Sequence, residues 1–173
     1  MKLLSILVLS IFFISCGATV AVDYDKQADF SKYSTYNYFP TIDSGLNQLD
    51  DSRIMQITDS LLQQRGFVKS DTPQLYINFY ARESVSRSRN TIGIGVGGGG
   101  GNVGVGVSGG IPIGGRVINQ QLTMDFIDVE KDDLVWQAVA EGEMKERATP
   151  QQKETYYVSV LQRILAKYPP KDK

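Results

Sequence analysis

The chain has 173 residues, no histidine and a single cysteine, Cys16. Without histidine, Ser-His-Asp and Cys-His nucleophile machinery is excluded. One cysteine allows no internal disulfide, and zinc, copper and haem sites lose their usual ligands. No metal and no cofactor is therefore expected. Eighteen basic side chains face nineteen acidic ones, a formal charge of −1. That leaves no basic stripe for a nucleic-acid partner. No apolar run reaches the ~20 residues that cross a bilayer core.

The longest apolar run, residues 3–15, has the length of a signal-peptide core. Lys2 supplies the positive start, and the run ends on Ile14-Ser15-Cys16-Gly17. This ending resembles the bacterial lipobox, in which the chain is cut before the cysteine and the thiol receives a diacylglycerol. Phe13 stands where that motif usually has leucine. The alternative is an ordinary secretory cut after Ala18 or Ala21, but a leftover thiol in a secreted chain has little other use. The reading is a signal peptide over residues 1–15, lipidation at Cys16 and a tether over 16–18. One domain over residues 19–168 follows, then a tail over 169–173. Each buried methylene adds ~0.8 kcal/mol to membrane partitioning, so several acyl chains anchor a protein durably.

Within the domain, Val20, Val22 and Tyr24 alternate with small or polar residues, which reads as a half-buried strand. Residues 33–39 are aromatic-rich and stop at Pro40, a second strand. A helix is expected over 51–65, with Asp50 as N-cap and Gly66 as the stop. Its stripe is Ile54, Ile57, Leu61 and Leu62. Leu75, Ile77, Phe79 and Ala81 alternate with Tyr76, Asn78, Tyr80 and Arg82, the clearest strand of the chain. Residues 117–129 and 134–140 read as a hairpin across the charged turn 130–133. Thr149-Pro150-Gln151-Gln152 is a capping-box helix start. Tyr157, Val160, Leu161, Ile164, Leu165 and Tyr168 form the buried stripe that follows, closed by Pro169-Pro170.

Thirteen of the 17 glycines lie between Gly93 and Gly115. Two runs that alternate glycine with β-branched residues flank Gly98-Gly99-Gly100-Gly101-Asn102, which reads as a hairpin tip. The segment 91–115 is thus either a solvated insert between core strands or a flat ribbon that pairs with another strand. No phosphate-loop lysine follows it. Arg82, Arg87, Arg89 and Arg116 flank the insert; they suit either solvated charge or contact with lipid phosphates or acidic sugars. Asp23 and Asp25 share a strand face, as the carboxylate pair of a glycosidase would need, though turn and strand-end roles explain them too. Trp136 and Tyr24, Tyr33, Tyr36, Tyr38, Tyr76 and Tyr80 suit either a sugar or peptide groove or ordinary sheet packing.

Asp23-Tyr24-Asp25, then residues 29–36 (Asp-Phe-Ser-Lys-Tyr-Ser-Thr-Tyr) and Arg65-Gly66-Phe67, resemble the opening of the lipoproteins grouped as domain of unknown function 4136. The strand 75–80, the glycine-rich insert, the hairpin 125–136 and the helix ending Ile164-Leu165-Ala166-Lys167-Tyr168-Pro169 fit the same pattern. The resemblance implies an α+β envelope lipoprotein, with no catalytic residues. The fold expected is a single antiparallel or mixed sheet of five to six strands, two helices on one face and a glycine-rich hairpin insert.

The function expected is non-catalytic: binding of another envelope component by a protein held on the outer membrane through its lipid. Gly17 stands after the cysteine instead of aspartate and no acidic run follows; by resemblance to known sorting signals this favours the outer membrane with the domain facing the periplasm. The alternatives are a carboxylate-dependent hydrolase using Asp23 and Asp25, or a self-associating surface protein built on the hairpin.

Overall fold

The computed structural model describes residues 19–87 and 115–170, and the backbone of 91–93 and 110–112. Strand β1 (Thr19–Tyr24) leads through a single 3-10 turn, Phe30–Lys32, to β2 (Thr35–Tyr38). Helix α1 (Gln48–Gln63) and the two-residue β3 (Val68–Lys69) follow. Strand β4 (Leu75–Arg87) enters the glycine-rich insert, whose ends pair as β5 (Thr91–Gly93) and β6 (Gly110–Pro112). Strands β7 (Arg116–Asp128) and β8 (Asp133–Lys145) form a long hairpin, and helix α2 (Pro150–Leu165) ends the fold.

The six strands order as β1-β8-β7-β4-β2-β3. Pairing is antiparallel from β1 to β4 and parallel where β2 joins β4 and β3. The sheet is therefore mixed, and the α+β architecture with both helices on one face is as expected. β5 and β6 pair antiparallel with each other, Thr91 opposite Pro112. The expected hairpin tip, 98–102, lies outside the described residues, as do the signal segment 1–15, Cys16 and the tether.

Alternation decides which side is buried. Leu75, Ile77 and Phe79 from β4, Leu122, Met124 and Phe126 from β7, and Trp136, Ala138 and Ala140 from β8 are all buried. They meet Ile54 and Leu62 of α1 and the whole expected stripe of α2 in one core. Trp136 packs at 4.9 Å from the Phe126 ring and 5.3 Å from Tyr168. Gly142 has a packing reason: a Cβ there would sit 2.7 Å from the Tyr156 hydroxyl, so glycine lets α2 lie on β8. Among the described residues no helix is long and apolar enough to cross a membrane.

The α2 start matches its sequence signature. Thr149 accepts from Gln152 N, and the Gln152 side chain closes the capping box. The α1 start does not match. The N-cap is Asn47, whose side chain accepts from Leu49 N and Asp50 N, so the helix begins three residues earlier than Asp51. Asp50 is drawn inward instead. It accepts from Lys153 at 2.6 Å, Arg53 at 2.7 Å and Asn47 at 2.6 Å, which ties the first turns of the two helices together. Burial works against its charge, but these three donors outweigh it and hold the carboxyl below its ordinary range. Gly66, at φ +87, ends the helix as expected.

Candidate functional site

The face of the sheet opposite the helices is built from the other half of the alternation. On β4 it carries Tyr76, Asn78 and Tyr80; on β7, Thr123 and Asp125; on β8, Gln137 and Val139. The register places Asp23, Gln137, Asp125 and Asn78 in one row across four strands. Most side chains of this face are half-buried, but Asp125 is only 9% exposed and Thr123 only 2%.

Asp125 is the unusual member. Gln137 Nε2 donates to its Oδ1 at 2.8 Å, and Asn78 Nδ2 approaches its Oδ2 at 3.5 Å. Its hydrogen-bond partners among the described residues are thus amides, not a lysine or arginine. Burial pushes its pKa up, and the Gln137 and Asn78 bonds pull only partly against that. A desolvated carboxylate that meets amides but no cation is costly for stability and typical of a ligand site. Tyr76 and Tyr80 flank Asn78 along β4, and Phe39 extends the aromatic surface with its ring 5.8 Å from Tyr76. The arrangement offers planar amides and a carboxylate for hydrogen bonding beside ring faces for stacking.

The residues singled out from sequence distribute as follows. Asp23 accepts from Tyr24 N and Asp25 from Gln27 N, each at a local backbone amide. Asp29 caps the 3-10 turn through Ser31, whose hydroxyl and amide lower its pKa. Trp136 and Tyr36 lie in the core. Tyr36 and Tyr38 both donate to Asp59 on α1, at 2.9 and 2.8 Å. Tyr33 donates to Asp128 at 2.6 Å. Tyr24 rests edge-on against Phe30. Only Tyr76 and Tyr80 of that aromatic set line the helix-free face. Arg87 and Arg116 lie at the joined ends of β4 and β7 and Arg82 in the middle of β4, while Arg89 lies outside the described residues. Asp125 was hidden in the sequence as one polar residue of an alternating strand; its burial depends on the cross-strand neighbours that pairing brings to it.

The fold and this face define a small α+β domain, a mixed sheet with one covered and one open side. The chain belongs to the family described as Domain of unknown function (DUF4136), whose pattern matches residues 20–170. Among solved structures it is similar to a PDZ domain protein from Parabacteroides distasonis, 14% identical with a TM-score of 0.58 over 91% of this chain. It spans 37% of that protein's length. It is also similar to a PelC dodecamer from Paraburkholderia phytofirmans, 15% identical with a TM-score of 0.50, covering 86% of this chain and 95% of that one. At these identities the likeness is one of fold. No functionally curated protein matches the chain.

Proposed function

We propose that this protein is a lipoprotein of the bacterial outer membrane, anchored through Cys16 with its domain in the periplasm. It acts without catalysis, binding another envelope component on the helix-free face of its sheet. The observation that carries the binding reading is Asp125, a buried carboxylate held by two amides on a side of the sheet that no helix covers. A desolvated carboxylate with amide partners and no cation among the described residues, with Tyr76 and Tyr80 beside it, suits recognition of a polar partner surface. Asp23 and Asp25 each accept from a local backbone amide, the strand-end and turn roles that favour the non-catalytic reading. The anchor reading rests on the short positive start, the apolar run and the lone cysteine.

Two measurements test the two parts separately. Cys16→Ser should abolish incorporation of a labelled fatty acid; equal label on the variant overturns the anchor. A photo-crosslinking residue in place of Tyr80 should yield an adduct in intact envelopes, whereas one in place of Ser159, exposed on α2, should not. No adduct at Tyr80, or the same adduct from both positions, overturns the assignment of the face.

A further inference from the structure

Strands β4, β7 and β8 run on together past the end of β1. Thr19 stands opposite Glu141, and β8 continues to Lys145 with β7 and β4 still paired beside it, as far as Arg116 and Arg87. At ~3.3 Å per residue this three-stranded ribbon projects about 13 Å beyond Thr19. It projects in the direction from which the chain arrives. Cys16 is three residues before Thr19, and three residues span at most ~11 Å. A lipid on Cys16 therefore enters its membrane within about that distance of Thr19, which puts the ribbon end, from which the insert 91–115 continues, on the bilayer side of the domain.

The side chains at that end suit such a surface. Val85, Ile118 and Met144 form one cross-strand row, in which Met144 is buried, Ile118 half-buried and Val85 49% exposed. The next row outward places Arg87 directly opposite Arg116. Like charges facing across strands oppose pairing unless an anion lies between them. Glu146 reaches Arg116 at 3.5 Å, but that guanidinium is 63% exposed, and a pair of this kind contributes little. Lys145 closes the β8 side of the same end. An exposed valine backed by exposed guanidinium groups suits a headgroup boundary, with carbon in the interface and cations on phosphate.

We propose that the end of the β4–β7–β8 ribbon docks on the membrane that holds the lipid, with Arg87 and Arg116 on lipid phosphates and Val85 at the interface. This rests on the anchoring at Cys16 proposed above, and it sets the domain upright with the β7–β8 turn pointing away from the bilayer.

The test uses the full lipidated protein in vesicles containing phosphatidylglycerol and lipids brominated near the headgroup. A fluorophore is placed at Val85→Cys or, as a distal control, at Lys131→Cys; Cys16 carries lipid and takes no label. The Val85 position should be quenched several-fold more than the Lys131 position. Arg87→Glu combined with Arg116→Glu should remove most of that difference while the protein still floats with the vesicles. Equal quenching at both positions in floating protein overturns the docking and leaves the anchor standing. Quenching at Val85 that the double variant does not reduce overturns the role of the arginines. Protein that does not float overturns the anchor, and the docking with it.

Discussion

Asp128, at the end of β7, provides the sharpest test of how the domain is held together without disulfides. Its carboxylate accepts from the Tyr33 hydroxyl at 2.6 Å and Lys32 Nζ at 2.8 Å, and from the backbone amides of Glu130 and Lys131 in the β7–β8 turn. It therefore clamps the segment before β2 to a turn almost a hundred residues later. Asp128→Ala removes all four acceptor contacts at once. The largest loss is the Tyr33 hydroxyl, which belongs to a residue only 6% exposed and would be left without an acceptor. That costs ~1–3 kcal/mol. The turn amides belong to exposed residues and recover water, adding ~1 kcal/mol between them. Lys32 is well exposed and adds little. The expected loss is thus about 2–4 kcal/mol, a large part of the ~5–15 kcal/mol a domain has. Urea unfolding followed by fluorescence of Trp136, the single and fully buried tryptophan, reads it directly. Asp128→Asn, which keeps an acceptor for the turn, should cost less. Adding Tyr33→Phe to Asp128→Ala should return part of the loss, because the orphaned hydroxyl is gone. Burial raises the Asp128 pKa, but the Lys32, Tyr33 and turn hydrogen bonds outweigh it and hold the group well below the ordinary 3.8. The unfolded chain then binds the proton more tightly. The stabilisation is complete above pH 3.8 and declines as pH falls further towards the folded value. An alanine variant within ~0.5 kcal/mol of wild type at pH 7 would refute the clamp, since even a modest orphaned hydroxyl costs more than that.

Asp125 carries the opposite sign. Its pKa is raised, chiefly by burial, so the folded state prefers the neutral form and the ionised carboxylate opposes folding at neutral pH. Asp125→Asn should raise the urea midpoint at pH 7 and lose that advantage below pH 3.8, where the wild-type carboxyl is protonated in both states; a lower midpoint at pH 7 counts against the reading. Leu161→Ala or Ile164→Ala, both fully buried on α2, should cost ~2–5 kcal/mol by the same assay, and an unchanged midpoint would mean that α2 adds nothing to the core. Replacing Thr91–Gly115 with a short Gly-Ser turn should leave the domain folded with a nearly unchanged midpoint. Arg87 and Arg116 already face each other, and loop closure varies by only ~0.6 kcal/mol per doubling of length. A deletion that unfolds would place the insert in the core.

Where a local rule and the tertiary structure agree, the sequence is transparent. The alternation from Leu75 to Ala81 gives β4 its buried face, and Thr149 to Gln152 sets the start of α2, because both signals are carried by residues close together in the chain. Asp50 and Asn47 show the opposite case. Either is a good N-cap, and the choice falls to Asn47 because Lys153, over a hundred residues away, claims the aspartate. β3 has two residues and no period to detect; it exists because β2 offers a parallel edge. The outer halves of β4 and β8 are polar, and their partners keep them extended. The helix-free face is illegible for the same reason. Asn78, Asp125 and Gln137 are far apart in sequence, and only the register sets them side by side.

The placement of β1 also determines the order in which the fold can close. Its single sheet partner is β8, so Thr19 waits for Glu141. Every residue of β1, the first strand of the described residues, pairs with β8, the last strand of the sheet. Contacts of such long sequence separation pay their loop-closure entropy before they return any energy, which slows folding. Until the C-terminal third of the chain arrives, β1 is an unpaired strand with Val20 and Val22 uncovered, a form prone to wrong pairing. Closure of the β1 edge is thereby deferred until β8 has formed. Truncations before β8 should accumulate as aggregation-prone species rather than as smaller folded domains.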